Sequence, residues 1–536
     1  MRLHGEEIDI TTVAQLIRAR AAEGDREFLR IGEGTLTYRE ADLLSTRMGN
    51  ALAAIGAGKG TVVSTLLYNS IDAVLIWFGC AKLGAIWNPV NVSLATDDLA
   101  YTLDDSAAAI LITEEEFIPL LEKTRPQLDH SPQILAYGNE EKVLAAGLRT
   151  AAELSAGSDA EIGTEVTLAD PMAIINTGGS TGMPKGVLVP HLHYIAAAMR
   201  QREVAHATAD DVMYESGHLF HGAGEQLGVT GPMFCKMRSV MTRWFSVSRF
   251  WETLRANEVT VMHAPGTMLG PLLNLPPSDL DRAHRVRVGL GIATGMIRRT
   301  IRDEFERRFN VPLLEVWAQT EMGVLLCSER IDQRRPGSSG HSGGWAEVRA
   351  VDENDSPLPA GQIGELVTRA SEPYTFMLGY HNKAEEMVRT WRNLWHHTGD
   401  LGYVDEDGFV FFVGRQAHWI RRRSENVAAF EIEKAITSHP EVDECAAVGV
   451  ESSIGDEEIK VYVQLRDGSP RLAPEELVSW AKERIAYFKV PRYVEFVPGL
   501  PRTAAKNEIK RQELKARGIG AAWDRDVAMP NWREGT

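Results

Sequence analysis

The stretch INTGGSTGMPKGVLVPH, from Ile175 to His191, packs glycines, a Ser-Thr pair and one lysine into a short run. Glycines let backbone N–H groups converge on an anion. The hydroxyls of Ser180 and Thr181 add donors, and Lys185 adds fixed positive charge. Such a loop can wrap something anionic and oxygen-rich. It is not the nucleotide-binding GxxxxGK[ST] loop, because Met183 and Pro184 separate Gly182 from Lys185 and no Ser or Thr follows the lysine to hold magnesium. On these residues alone an ordinary surface turn stays open.

Two more segments carry chemistry. WAQTEMG, Trp317 to Gly323, sets the Thr320 hydroxyl beside the Glu321 carboxylate after the apolar run PLLEV. A carboxylate can hold Mg²⁺ and an adjacent hydroxyl can bond a phosphate oxygen. The alternative is a helix start, with Thr320 as its cap. HHTGDLG places Asp400 in a turn, where a carboxylate could accept two hydroxyls, as from a ribose. A plain Asx-type turn is the alternative.

The elements that must position these residues follow from the rest of the chain. With 536 residues, the chain exceeds one typical core and implies two to four structural units. Apolar residues at 44% and charged residues at 24% fit a soluble globular enzyme. A net charge of −17 argues against non-specific binding to nucleic acid or anionic membrane, without excluding a local basic site for phosphates. Cys80, Cys235, Cys327 and Cys445 lie too far apart for a zinc site or a disulfide framework, so a cytoplasmic setting is expected. The N-terminus lacks an apolar h-region. The most apolar stretch, Ala73 to Val90, is interrupted by Lys82 and reads as a buried helix entering a strand, not an integral membrane span.

Strand and helix patterns alternate through most of the first 410 or so residues. Arg39 to Gly56 has helical apolar spacing ending on glycine, TVVSTLL and AAAILIT read as buried strands, and RRTIRDEFERRFN reads as a charged amphipathic helix. This predicts an α/β fold of mixed and parallel sheets flanked by helices. DLGYVDEDGFVFFVGR then reads as a hairpin. Helix, strand, strand, helix, strand follow, a small α+β unit. The predicted domains are residues 1–413 and 414–536, with a tail from Ala521 onward.

Taken together and in order, these segments resemble the adenylate-forming (ANL) superfamily of acyl-CoA synthetases, peptide-synthetase adenylation domains and luciferases. TGGSTGMPKG is similar to its phosphate loop, WAQTE to its Tyr-Gly-x-Thr-Glu segment and TGD to its ribose-binding turn. GRQAHWIRRRSENVAAFEIE looks like the segment after its hinge, and LPRTAAKNEIKRQEL like its C-terminal lysine motif. FGCAKLGAIWNPVN, RRRSENVAAFEIE and AAWDRD look most similar to carnitine/crotonobetaine–CoA ligase-like acyl-CoA synthetases.

The resemblance implies roles. Thr177, Gly179, Ser180, Thr181, Gly182 and Lys185 would wrap the ATP phosphates and pyrophosphate. Trp317 would stack on adenine, with Thr294, Gly295 and Met296 along its edge. Thr320 would meet the α-phosphate and Glu321 the Mg²⁺, while Asp400 and Arg415 would bind the ribose. His221 and Gly222 would lie at the acyl pocket, with Ala318 and Ser424 standing where the family has glycine. The catalytic lysine is assigned to Lys506, with Lys510 second, because the family's lysine position falls on Asn507 or Glu508. ATP, Mg²⁺ and coenzyme A are the implied cofactors, and a small carboxylic acid the substrate. A medium, fatty, aryl or alicyclic acid is favoured over acetate. No nucleic-acid partner is expected, and a homodimer is left open. The implied activity is ATP-dependent acid–CoA ligation through an acyl-AMP. The alternatives are an acyl-AMP ligase loading a carrier protein and a non-catalytic adenylate-binding protein.

Overall fold

A computed structural model describes the chain except residues 178–183, 264, 294–298, 416–418, 423–424, 452–456, 467, 469–471, 486–488, 504–508, 531 and 533–536. The chain divides into two compact units. One comprises Met1–Arg349, Val367–Thr398 and Val404–Phe411; the other comprises Ala350–Leu366, Gly399–Tyr403 and Phe412–Thr536.

The first unit is α/β, built on two eight-stranded sheets. In one, Val62–Leu66 lies between parallel neighbours Ile86–Pro89 and Ile110–Glu114. Pro171–Thr177 joins the Ile86–Pro89 edge, and Lys185–Pro190 returns antiparallel beside it. In the other, Leu313–Trp317, Val288–Ala293, Val261–His263 and Val212–Glu215 run parallel as successive neighbours. Their carboxyl ends therefore share one edge. Open parallel sheets bind ligands outside that edge.

The apolar Ala73–Val90 stretch is helix Ile71–Leu83 followed by strand Ile86–Pro89. The Ser70 side chain caps its start, and Gly84 ends it at φ +70°. Its lysine is buried: Lys82 Nζ donates to the Asp42 carbonyl at 2.6 Å, Asp42 Oδ1 at 2.7 Å and Thr46 Oγ1 at 2.7 Å. The helix packs on Tyr38–Ala54 through glycines, since a Cβ on Gly79 would sit 2.9 Å from Gly49 N. Among the described residues no helix is long and apolar enough to cross a membrane.

The second unit has a four-stranded sheet, Val442–Glu451, Glu457–Leu465, Tyr493–Phe496 and Trp523–Asp524. Helices Ala429–Thr437 and Pro474–Lys482 supply Ile432, Ile436, Leu477 and Val478 to its core. Here the structure departs from the expected tail. Trp523–Asp524 pairs with Tyr493–Val494, Arg492 bonds both Asp524 oxygens at 3.1 Å, and the fully buried Arg525 donates to the Val490 carbonyl at 3.2 Å. A two-residue strand has no periodicity to read, and its partner Arg492 is remote in sequence. A second difference concerns Asp400, which lies within strand Trp395–Val404 rather than in a turn; Gly399 takes φ +66° inside that strand.

The strand leading to Trp317 is anchored from behind by charge. Arg302, in helix Arg299–Phe309, donates to the Leu313 carbonyl at 2.6 Å and Glu329 Oε2 at 2.7 Å, and also pairs with Glu315. Glu329 also accepts the Glu315 N–H at 3.0 Å, and burial pushes its pKa above the ordinary carboxylate value. Arg302→Ala would strand two carboxylates in the interior. It should lower stability by about 3–5 kcal/mol, measured by urea unfolding. A change under about 1 kcal/mol would show that the network does not anchor the strand.

Candidate active site

The hairpin Pro171–Thr177/Lys185–Pro190 carries the expected anion loop at its tip. Thr177 pairs with Lys185 at the base, and the Thr177 hydroxyl lies 3.4 Å from the Lys185 carbonyl. Gly179, Ser180, Thr181 and Gly182 lie outside the described residues. Lys185 Nζ is ion-paired with Glu386 and stands 5.3 Å from the centroid of the Tyr380 ring. The same Tyr380 donates its hydroxyl to Glu321 Oε1 at 2.8 Å. Burial, then the Glu321 charge, pushes the Tyr380 pKa upward, so the phenol stays a donor. One tyrosine thus links the loop's lysine to the carboxylate of the WAQTE segment.

That segment is a turn, not a helix start. Met322 N donates to the Gln319 carbonyl at 3.0 Å, and Thr320 caps no helix. Buried Trp317 ends its strand, where it pairs with Cys327. Gln319 donates to the Thr398 carbonyl at 2.9 Å. Behind the turn, Arg200 donates to the Met322 carbonyl at 3.0 Å and Gln226 Oε1 accepts the Val324 N–H at 3.0 Å. His193 Nδ1 lies 3.0 Å from the Thr375 carbonyl and its Nε2 lies 3.2 Å from Gln226 Nε2. Burial lowers the His193 pKa to about 3, so this ring is neutral and structural. Gly323, at φ +77°, is required: a Cβ there would lie 2.7 Å from the Arg200 guanidinium.

Only some of the anticipated set is visible together. Thr177, Lys185, Trp317, Ala318, Thr320, Glu321, His221 and Gly222 belong to the first unit. Asp400 and the backbone of Arg415 belong to the second. Thr294, Gly295, Met296, Ser424 and Lys506 lie outside the described residues, as does the Arg415 side chain. The lysine loop has a described base, a bridge between Arg502 and Ile509, with Lys510 N donating to the Pro501 carbonyl at 2.8 Å.

A model of the "AMP-binding enzyme" family matches residues 17–381, and one of its C-terminal domain matches residues 431–507. The chain belongs to the AMP-binding enzyme family. It is 30% identical to a crotonobetaine/carnitine–CoA ligase of Escherichia coli, over 89% of this chain and 93% of that protein. A Shigella sonnei protein of the same name is 31% identical over the same shares. Among solved structures, an anthranilate CoA ligase in complex with anthranoyl-AMP superposes with TM-score 0.84 at 25% identity, over 94% of this chain and 96% of that one. The o-succinylbenzoate coenzyme A synthetase of Bacillus subtilis in complex with AMP does so with TM-score 0.81 at 25% identity, over 94% and 98%. This AMP-binding enzyme is an acid–thiol ligase, with ATP and CoA as cosubstrates.

Several positioning residues of the ligase escape sequence reading. Tyr380 sits on a two-residue strand, Gly379–Tyr380, that pairs with Val187 and Leu188. Asn69 pins the loop after Glu215, accepting from Leu219 N at 2.8 Å and donating to the Gly217 carbonyl at 2.9 Å. On that loop Phe220 stacks against His218 at 4.8 Å and lies 4.6 Å from the His221 ring. None of these has a local motif; only proximity in the fold reveals them.

His221 precedes helix Gly222–Glu225, which continues as a π-turn through Gln226–Thr230. Such turns recur at functional sites. The fully buried Glu225 accepts the Tyr194 hydroxyl, and burial pushes its pKa up to about 8. An unfolded glutamate titrates near ~4.3. Between those values the folded enzyme holds a proton that the unfolded chain has released, so this residue's contribution falls as pH rises through that window. Glu225→Gln, neutral at every pH, should flatten that slope. Urea unfolding of both proteins at pH 5 and pH 8 should show the wild type losing more stability across the interval; equal losses would contradict the buried protonated carboxyl.

Proposed function

We propose that the enzyme activates a medium, fatty, aryl or alicyclic carboxylic acid by adenylation at the Lys185–Tyr380–Glu321 cluster, then passes the acyl group to CoA. The observation that carries this is the joining of a glycine-flanked lysine to a carboxylate through one tyrosine at the carboxyl edge of a parallel sheet. The acids named for its relatives (crotonobetaine or carnitine, anthranilate and o-succinylbenzoate) are all larger than acetate. Four buried thiols with no disulfide among them suit a reducing cytoplasm.

The donor set fits Mg²⁺. Glu321 spends Oε1 on Tyr380, and no other described residue bonds its second oxygen. One carboxylate plus substrate phosphates is a usual set for this ion. Bound there, the ion would offset phosphate charge. Lys185 and the loop hydroxyls would hold the β- and γ-phosphates, and Thr320 would orient the α-phosphate. Trp317 would stack on the adenine, and Asp400 with Arg415 would bind the ribose. The substrate carboxylate is ionised at neutral pH, since free carboxyls titrate near ~4. Its oxygen attacks the α-phosphorus, the bond to the bridging oxygen breaks, and pyrophosphate leaves. The CoA sulfur then attacks the acyl carbon, loses its proton, and AMP leaves. Charge builds on phosphoryl oxygens in the first step, so positioning and fixed cations, Lys506 included, are the main catalytic resource. Residues 414–536 are taken as a mobile domain that presents Lys506 for adenylation and the Ser424 segment for thioester formation.

Lys185→Ala and Glu321→Ala should each slow acid-dependent pyrophosphate release by roughly 10²–10³, the scale for one preorganised charge. Wild-type rates in both folded variants would remove the cluster from the mechanism. Chromatography of a full reaction should give AMP and acyl-CoA. ADP and phosphate instead would mean attack at the γ-phosphorus. Release of pyrophosphate without consumption of CoA would favour a carrier protein as acceptor.

Lys506→Ala should lose adenylation by the same factor yet still convert synthetic acyl-AMP and CoA to thioester. If Lys510→Ala abolishes adenylation while Lys506→Ala does not, the catalytic lysine is Lys510.

A further inference from the structure

The carboxyl edge that carries Trp317 also carries a buried polar pair the mechanism does not use. Glu215 ends strand Val212–Glu215 and His263 ends its parallel neighbour, Val261–His263. His263 Nδ1 lies 2.8 Å from Glu215 Oε1, and the same oxygen accepts the Gly217 N–H at 2.6 Å. The Glu215 side chain is fully buried and that of His263 is 9% exposed. A carboxylate in this position makes Nδ1 the donor and fixes the ring's orientation. The remaining nitrogen, Nε2, has no hydrogen-bond partner among the described residues. It points at strand Val288–Ala293, where Gly291 at φ +92° leaves room: a Cβ there would lie 2.6 Å from Nε2. Glycine at this position is what admits the ring.

Two strand positions separate His263 from Trp317, with Val288–Ala293 between them. His263 pairs with Leu290, and Leu290 with Leu314, so Trp317 also lies three residues further along. At ~4.8 Å per strand and ~3.3 Å per residue the separation is about 14 Å, a span for an acyl chain running inward from the Thr320–Glu321 turn. The loop after Glu215, with the His218, Phe220 and His221 rings, borders the same end.

We infer that His263, held by Glu215, is a specificity-determining contact that hydrogen-bonds a hydroxyl on the acyl chain of the acid. This rests on the acid–CoA ligase reading above. A hydroxyl both donates and accepts, so it satisfies Nε2 in either protonation state. An all-hydrocarbon chain leaves that nitrogen dry and unpaired, which sites built around a hydrogen bond penalise.

The test uses matched acids, butanoate against 3-hydroxybutanoate and benzoate against its three hydroxybenzoates, with pyrophosphate release as the readout. The wild type should favour at least one hydroxy acid over its parent in kcat/KM. His263→Phe should cut that preference about tenfold, the size of one uncharged hydrogen bond, with KM for ATP unchanged. His263→Asn, which keeps a donor toward Glu215 but lacks Nε2, should do the same and guards against a misfolded phenylalanine variant; thermal melts of both verify folding. Preference for the parent acids in the wild type, equal loss for both members of a pair, or a change confined to KM for ATP would each overturn the inference while leaving the ligase intact. No pyrophosphate with any acid would instead remove the ligase reading, and this inference with it.

Discussion

Everything at the site depends on keeping a lysine and a carboxylate close without letting them neutralise each other. Lys185 belongs to one sheet and Glu321 follows a strand of the other. Direct pairing would tie the two to each other. The fold prevents this by inserting Met377–Tyr380. Met377 N donates to the Glu321 carbonyl at 2.8 Å, Leu378 N to the Leu188 carbonyl at 2.8 Å, and Tyr380 pairs with Val187. This short segment stitches the two sheets at the point where their charges meet. The phenol then satisfies the carboxylate, while Glu386 takes up the lysine. Glu386 is itself a partly exposed partner, 25% exposed, outside the scaffold contacts.

The scaffold itself is stiff where it must be. Arg302 and its carboxylates tie the back of the strand that ends on Trp317, and Arg200, His193 and Gln226 tie the turn that follows. These are interior polar networks, expensive unless fully bonded and directional when they are. Apolar packing alone would hold the strand in the sheet yet leave the turn's orientation soft. Preorganised charge is worth most when nothing has to move as the reaction proceeds.

What could be read in the sequence was whatever is local. Glycines and hydroxyls around Lys185, the Thr320–Glu321 pair, the helix Ile71–Leu83 and the hairpin near Asp405 all signal within one window. What could not be read depends on chain crossings. Tyr380 and Glu386 lie some 200 residues from Lys185 in the chain, Asn69 reaches Gly217, and Arg492 makes a strand of Trp523–Asp524. Asp400 departs from its expected turn for a different reason. Thr-Gly-Asp has turn composition, yet strand pairing overrides it and Gly399 absorbs the positive φ within the strand.

Two histidines at the active edge show how fold context separates scaffold from chemistry. Each ring lies against a glycine with positive φ, His193 against Gly323 and His263 against Gly291. In both cases a β-carbon would strike the ring, so the glycine admits it. Beyond that the two part. His193 has both nitrogens engaged and burial keeps it neutral to about pH 3, so it serves as a fixed strut behind the Thr320–Glu321 turn. His263 has one nitrogen engaged, by a carboxylate buried deeper than itself, and the other facing Gly291 of the neighbouring strand. Sequence spacing treats the two alike. Only the count of satisfied nitrogens, and the direction of the one left over, distinguishes a ring that supports the site from one that can read what enters it.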